Sequence, residues 1–501
     1  MSAVAGVSVG AVAGVSVGVV SVGVETVNRE TLDVVIVGGG ITGLAAAWYV
    51  HRSRPELRFA VLEATSRVGG KIDSASVAGH DVDCGPDAFL ARVAGGVDLA
   101  TDVGLGDDLV SPATGKAWLW SRGKLRALPE GLVLGVPSRL APLAKSGIVS
   151  MRGLARAALD EVRPARWRAG TGGAAVGAGD PSVAAASGAH LGREVVERLV
   201  DPLLGGINAS DCDTLSLASA APNLVAPAAQ PRLMRALRNA GAEQQRGAIG
   251  VEQTRPVFLV PRTGISSLVR TLHEKLPSGT VRLSSPVDTL AASGQGGWVL
   301  TVNGHSIRAR SIVLAAPAAV TARLLRATNP TAAAELARIR TSSVALALLA
   351  YPTDAVDLPP GSGMLVPRVD GHLMTASSWW HQKWPHLVTP GLVLIRASAG
   401  RDGDTRFADL NDEELVARLH GELGRAVTLR GKPVDSRVAR WTGGFPQYDS
   451  GHAARVDRAE ASLAADAPGL ILAGASYRGI GIPACIRSAQ AAADRAVASL
   501  A

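Results

Sequence analysis

Three glycines, Gly38, Gly40 and Gly43, fall at the spacing G-x-G-x-x-G directly after the apolar run Val34–Val37 and ahead of a helix-forming stretch, Leu44–Val50. In a strand-turn-helix unit the first glycine makes the turn, the second admits a pyrophosphate to the backbone, and the third lets helix and strand pack closely. The diphosphate then rests on the helix N-terminus, so Gly38, Gly39, Gly40, Ile41, Thr42 and Gly43 form its seat. The spacing alone is a weak signal. Glu63 strengthens it, because it ends the next apolar strand, Phe59–Leu62, twenty residues past Gly43, where an acceptor for a ribose hydroxyl belongs.

Two further stretches carry chemistry. Glu63, Arg67, Gly69, Gly70 and Lys71 stand at the spacing E-x-x-x-R-x-G-G, which lets a second loop close over the diphosphate with Arg67 and Lys71 as countercharges. Nicotinamide enzymes have little need of such a loop. An alternating segment then runs to Asp83 and the turn Gly85-Pro86-Asp87. Near the end, a strand (Leu470–Ala473), Gly474, the loop Gly479–Pro483 and a helix from about Ala484 repeat the opening logic. That helix would offer its positive end to a polar ring edge that gains charge on reduction.

These residues need a scaffold, and 501 residues with 47% hydrophobic content supply more than one ordinary core. The net charge of +8 favours an anionic partner. With no lysine-rich tract, RNA-binding signature or zinc-finger spacing, an acidic small molecule or lipid fits better than nucleic acid. Cys84, Cys212 and Cys485 lie far apart without C-x-x-C spacing, which argues against a disulfide framework or a metal site and fits a reducing cytoplasm. Cys485 reads as a small buried residue rather than a covalent flavin attachment point.

Residues 1–24 are uncharged and repeat AVAGVSVG at Ala3–Gly10 and Ala11–Gly18. Valine mixed with glycine and serine makes neither a convincing span nor a signal peptide, so residues 1–30 read as a disordered tail and the fold begins near Thr31. Between Asp107 and Arg255 the pattern is helical and loop-rich. Leu128–Val149 is broken by prolines, Glu130, Arg139 and Lys145, and crosses no bilayer. Arg163, Arg166, Trp167 and Arg168 suit lipid headgroups or an acidic substrate as well as they suit a solvated loop leading into the linker Gly170–Gly179. His190–Leu204 reads as one amphipathic helix, with His190 a capping or packing residue.

Strands are expected at Val257–Val260, Val281–Val287 and Trp298–Val302, with a helix at Gly264–Leu276. Ser311–Val320 would return to the first sheet, so the nucleotide domain is assembled from separated segments. Val344–Tyr351, Gly361–Pro367 and Leu392–Arg401 make a strand-rich second region.

From Leu32 to Leu500 these pieces resemble the flavin amine-oxidase-like superfamily, and within it the protoporphyrinogen and coproporphyrinogen oxidases of haem biosynthesis. The motifs are VVIVGGGITGL, EATSRVGGKI, CGPDAFL, HLGREVVERLVDPLLGGINASD, GSGMLVP, KWPH (Lys383–His386), PQY with GH (Pro446–Tyr448, Gly451, His452) and GIGIPACI. The tail and Gly170–Gly179 have no counterpart in that pattern. The resemblance implies an α/β fold, α+β overall. A Rossmann-like FAD-binding domain would comprise residues 31–106, 256–320 and 441–501, with a helical lid or membrane-facing insertion at 107–255 and a substrate domain at 321–440.

The same resemblance places non-covalent FAD with its diphosphate on Gly38–Gly43 and its ribose on Glu63 and Ala64. Lys71 and Gly85, Pro86, Asp87 and Ala88 would lie toward the flavin, Val287 would meet the adenine and Trp441 would lie nearby. Ile480, Gly481 and Ile482 would meet the isoalloxazine. The implied chemistry removes hydride from a porphyrinogen ring carbon to flavin N5, with loss of pyrrole protons, until the macrocycle is aromatic; oxygen reoxidises the flavin and yields hydrogen peroxide. No residue is assigned as a general base. Arg92 is a candidate to grip a substrate propionate. The basic chain without a spanning helix resembles the branch that acts on coproporphyrinogen III, the alternatives being protoporphyrinogen, an amine, or porphyrin carriage without catalysis. A ferrochelatase downstream and peripheral contact with the inner face of the cell membrane are compatible with this branch.

Overall fold

The computed structural model describes residues 30–163, 179–247 and 256–500. The Ala3–Gly18 repeat, Arg166, Trp167, Arg168 and the glycine-rich stretch up to residue 178 lie outside them.

The strand Glu30–Val37 is the centre of the first sheet. Its run Val34, Val35, Ile36, Val37 is buried on both faces: Val34 and Ile36 join one core cluster, Val35 and Val37 the other. Continuous apolar residues of this kind suit an interior parallel strand covered above and below. Phe59–Leu62 and His305–Leu314 flank it in parallel, with Val34 opposite Phe59 and Val35 opposite Ile312. Val281–Arg282 adds one edge, Trp298–Val302 and Val287–Ala292 the other, and Leu470–Leu472 pairs parallel to the end of His305–Leu314. Helices Ile41–Ser53, Ser266–Lys275 and Ile482–Ala498 cover one face; Ala318–Leu325, Pro330–Ala337 and His452–Asp466 cover the other.

The second sheet has the order Asp435–Pro446, Thr341–Pro352, Leu392–Ala399, Met374–Trp379, Gly363–Leu365, Trp118–Ser121, Lys124–Ala127. Three expected boundaries shift as a result. The hairpin 118–127, expected within the helical insertion, extends this sheet by parallel pairing of Trp118 with Met364. The strand Asp435–Pro446 runs through the expected boundary at 441, with Trp441 opposite Val344. Ala318–Leu325 straddles the boundary at 320, and Leu325, Ala332 and Leu336 are buried on the first sheet.

Two expected elements divide. Val281–Val287 is cut by Ser284, whose φ of 48° turns the chain from one edge of the sheet toward the other. His190 lies in the last turn of the helix Val183–Leu191, Gly192 follows that helix at φ 86°, and Val196–Gly205 is a π-helix. Pro202 sits inside it and has no N–H for a tight i→i−4 ladder. No helix among the described residues is long and apolar enough to cross a membrane.

Candidate active site

Gly38 holds φ 110° and donates its N–H to the Leu62 carbonyl at 2.8 Å, which carries the pairing with Phe59–Leu62 up to the start of the turn. A Cβ on Gly43 would stand 1.8 Å from the Gly38 carbonyl oxygen, so helix and strand meet there only as glycine. Gly40 is different: the nearest atoms to a Cβ there are the Gly69 oxygen and Gly70 Cα, both at 3.9 Å. It caps the helix Ile41–Ser53 with no side-chain bond, and no acidic residue occupies the first turn, so the N-terminal amides of Ile41 and Thr42 remain without a carboxylate. Open space above a bare helix N-terminus is what a diphosphate requires.

The second glycine loop lies against the first, Gly69 donating its N–H to the Gly39 carbonyl at 2.9 Å. Arg67, expected as a countercharge, is tied into its own loop. Its guanidinium bonds the Gly70, Val68 and Ile72 carbonyls at 2.8, 3.2 and 3.4 Å and pairs with Asp73 at 3.2 Å, knotting its own loop.

Glu63 accepts the Gly39 N–H on Oε2 at 2.7 Å, and the Thr65 N–H and hydroxyl on Oε1 at 2.8 and 2.7 Å. Three of about four acceptor sites of a carboxylate are thereby used, and one on Oε2 remains. Ala64 beside it is exposed. Glu63 N–H bonds the Arg282 carbonyl, while Ser284 and Ser285 donate to the Thr65 and Glu63 carbonyls at 2.8 Å. This lacing brings Val287, buried, to the same end of the sheet as Glu63.

At the other end of the cleft, a Cβ on Gly85 would stand 2.1 Å from the Lys71 carbonyl oxygen, so the Gly85-Pro86 turn lies directly on the second glycine loop. Trp441 Nε1 donates to the Cys84 carbonyl at 2.7 Å and fastens the second sheet to this turn. The Lys71 side chain is accessible within the cleft yet crowded by protein, and that desolvation draws its ammonium pKa down against a smaller opposing pull from Cys485. Ile482 begins the last helix and is buried; Gly481 caps it without a side-chain bond and is exposed, and Ile480 packs on the helical region's core. Gly474, with φ 117°, lies where a Cβ would come 3.5 Å from Thr42 Oγ1, so both helix N-termini converge on one end of the sheet.

Asp87 and Ala88 continue the turn. Asp87 Oδ2 accepts from Lys383 Nζ at 2.7 Å and has Arg396 Nη1 at 3.6 Å, while Arg396 Nη2 donates to the Gly85 carbonyl at 2.7 Å. The two cations also lie over indoles, Lys383 at 5.5 Å from Trp384 and Arg396 at 5.3 Å from Trp380. Lys383 and Arg396 were not among the expected site residues. The signal was present in KWPH, but nothing local ties it to residue 87. Arg92 lies exposed just beyond the strand Phe89–Leu90. His190 is buried against Asp160 Oδ1 at 2.8 Å and the Ala228 carbonyl at 3.0 Å, a packing role.

Residues 41–497 match the family described as flavin containing amine oxidoreductase. The chain belongs to that family. Its cofactor is therefore a flavin, and the glycine cradle, with two helix N-termini free of side-chain caps converging on one end of the first sheet, fits one. This family member is 34% identical to the coproporphyrinogen III oxidase of Bacillus subtilis (strain 168) over 93% of its own length and 98% of the relative's. It is 28% identical to the chloroplastic protoporphyrinogen oxidase 1 of Arabidopsis thaliana, over 92% and 87% of the two chains. A crystal structure from Exiguobacterium sp. 255-15, provisionally named a protoporphyrinogen oxidase, superposes with a TM-score of 0.78 at 30% identity and covers 93% of this chain and 98% of that one.

Proposed function

We propose that the protein binds FAD non-covalently and oxidises coproporphyrinogen III to coproporphyrin III with oxygen, releasing hydrogen peroxide, in haem biosynthesis. The observation that carries the substrate choice is the end-to-end likeness to the Bacillus subtilis coproporphyrinogen III oxidase, stronger than that to the plant protoporphyrinogen enzyme. Bound FAD supplies the hydride acceptor and the route to oxygen. Residues 38–43 and 69–70 would hold its diphosphate, with Arg67 keeping the second loop closed, and the remaining acceptor on Glu63 would take a ribose hydroxyl. Lys71, the turn 85–88, Trp441 and residues 480–482 would line the flavin end. The protein's own task is orientation and exclusion of water, and no side chain is assigned a proton.

The nucleotide domain in this reading carries the first sheet and its helices, including Pro330–Ala337. The substrate domain carries the second sheet with its 118–127 hairpin. The helical segment packs its core against Ile480. Non-covalent binding is supported by Cys485, whose buried Sγ faces the Gly479 and Ile480 carbonyls at 3.9 and 3.8 Å and whose pKa is raised by burial. Denaturing the holoprotein in acid is expected to release all flavin to the supernatant.

Glu63→Gln tests the ribose contact. A glutamine has one acceptor oxygen, so its amide group must face the N–H of Gly39 or of Thr65. FAD affinity, read by fluorescence titration, is expected to fall about tenfold. Arg92→Ala is expected to raise KM for a propionate-bearing substrate with kcat little changed.

The substrate reading is tested by mixing the purified protein anaerobically with each porphyrinogen and following flavin bleaching, then adding oxygen and measuring peroxide. Coproporphyrinogen should bleach faster. Faster bleaching by protoporphyrinogen would replace the substrate, bleaching by an amine would replace the reaction, and porphyrin binding without peroxide would leave a carrier.

A further inference from the structure

We infer that Tyr448 is the positioning residue that sets the loop 479–481 against the flavin ring. The inference rests on the FAD reading above, which puts that loop beside the isoalloxazine. Tyr448 is 3% exposed, and its phenol works in both directions: it donates to the Ala475 carbonyl at 2.7 Å and accepts the Gly479 N–H at 2.7 Å. A phenol has one hydrogen to give, so with the carbonyl taking it the amide must be met by a lone pair. The single oxygen thus spans the loop from its entry to the residue that precedes Ile480.

The ring is held as firmly as its oxygen. It stacks on His452 with centroids 4.1 Å apart and planes 18° from parallel. His452 Nε2 lies 2.9 Å from the Tyr477 carbonyl, an acceptor only, so Nε2 carries the proton. Burial, opposed by that backbone bond, pushes the imidazole pKa down to about 4, so the stack is neutral at physiological pH. Tyr448's own carbonyl accepts the Ser216 N–H at 2.8 Å, which anchors the residue in the helical region. One residue therefore joins the helical segment through its backbone, and the strand exit at residue 475 and the loop at 479 through its phenol. Gly479 itself has φ 129°, and a Cβ there would meet Ala484 Cβ at 2.6 Å, so the loop has little room to find another arrangement.

The test compares Tyr448→Phe with Tyr351→Phe, which removes a buried phenol bonded to His420 Nδ1 at 2.9 Å in the second sheet, as a control for simple loss of a buried hydroxyl. Two arms are read. In the first, trypsin cleavage after Arg478, immediately before Gly479, should quicken in Y448F and stay unchanged in Y351F, with or without flavin bound. In the second, the holoproteins are compared by visible circular dichroism of the flavin band and by steady-state kinetics. Y448F should alter the band and lower kcat about tenfold or more with KM changed less than about threefold, because displacing a reacting group by an ångström is enough for such losses. Unchanged cleavage at Arg478, or equal effects in Y351F, overturns the assignment. Faster cleavage with an unchanged flavin band and kcat overturns the loop's link to the ring. A wild-type protein that takes up no FAD defeats the cofactor reading, and the trypsin arm then still decides whether Tyr448 fixes the loop. If Y448F fails to fold while Y351F folds, hydrogen exchange of the wild type decides: the Gly479 amide, bonded to the phenol at 2.7 Å, should be as protected as the Ser216 amide, and exchange at the rate of an unpaired amide overturns the inference.

Discussion

Gly40→Ala should yield a folded protein that holds no flavin, whereas Gly43→Ala should lose both flavin and stability. The two residues are three apart on one turn, yet an added methyl meets different surroundings. At Gly43 it lands 1.8 Å from the Gly38 oxygen, and the helix behind it cannot retreat, because Leu44, Ala45, Ala46 and Ala47 are all fully buried. Overpacking of this kind costs about 3 kcal/mol or more. At Gly40 the methyl makes only ordinary van der Waals contact, with the Gly69 oxygen and Gly70 Cα at 3.9 Å, so the apoprotein should melt like the wild type. The space the methyl takes is where the diphosphate would approach the backbone, and filling it should cut FAD affinity at least about a hundredfold, as expected when phosphate loses its contact with a helix N-terminus. The measurements are flavin released per mole of protein and the thermal midpoint of the apoprotein. A Gly40→Ala protein that retains flavin at wild-type affinity would show that the cradle lies elsewhere.

The cradle was legible in the sequence because its parts are local. Gly38, Gly40 and Gly43 share one turn, and Glu63 lies one strand further on, so spacing alone carries the geometry. The limits of Phe59–Leu62 and Trp298–Val302 followed from apolar runs bounded by turn residues. What escaped is long-range pairing. Nothing in the hairpin 118–127 says that it joins a strand at residue 363, and the alternation of Asp435–Pro446 does not reveal to which sheet it belongs. Gly192 could be taken as one more residue of an amphipathic helix until Arg156, whose Cγ would lie 2.5 Å from a Cβ there, is seen packed against it. Arg67 was legible in spacing, but its bonds to the Val68, Gly70 and Ile72 carbonyls depend on a loop conformation, with Gly69 and Gly70 both at positive φ, that spacing does not specify. The flavin end of the site depends most on such contacts. Asp87 and Lys383 lie 296 residues apart in the chain, and Tyr448 and Gly479 meet through a side-chain bond between two loops that no periodicity foretells.

Lys383→Met is the second change expected to act strongly, through a carboxylate it never touches in sequence. Burial pushes the Asp87 pKa up, but Lys383 and then Arg396 outweigh it and hold the carboxyl below the usual range. Both partners of the 2.7 Å contact are 18% exposed, so solvent screens the pair only slightly. Removing Lys383 leaves the carboxylate with Arg396 at 3.6 Å, so losing this part-buried, charge-assisted bond costs roughly 2 kcal/mol. Asp87→Asn removes the charge from the other side. If the pair is the source of the effect, Lys383→Met should cost much less in an Asp87→Asn background, with a coupling of about 1 to 3 kcal/mol read from urea unfolding. The pH dependence follows from the direction of the shift. A carboxyl whose folded pKa lies below its unfolded value of about 3.9 stabilises the fold fully above that value, and loses the contribution as pH falls through the folded pKa. The stability gap between wild type and Lys383→Met should therefore be constant from pH 7 to about 5 and narrow below about 4. Because Arg396 and Lys383 pin residues 85–87 from the second sheet, loosening them should also let the two sheets shift across the cleft, lowering kcat/KM about tenfold at saturating FAD. A Lys383→Met penalty of equal size in both backgrounds would place its origin in the packing on Trp384 instead, since that contact survives the loss of the Asp87 charge.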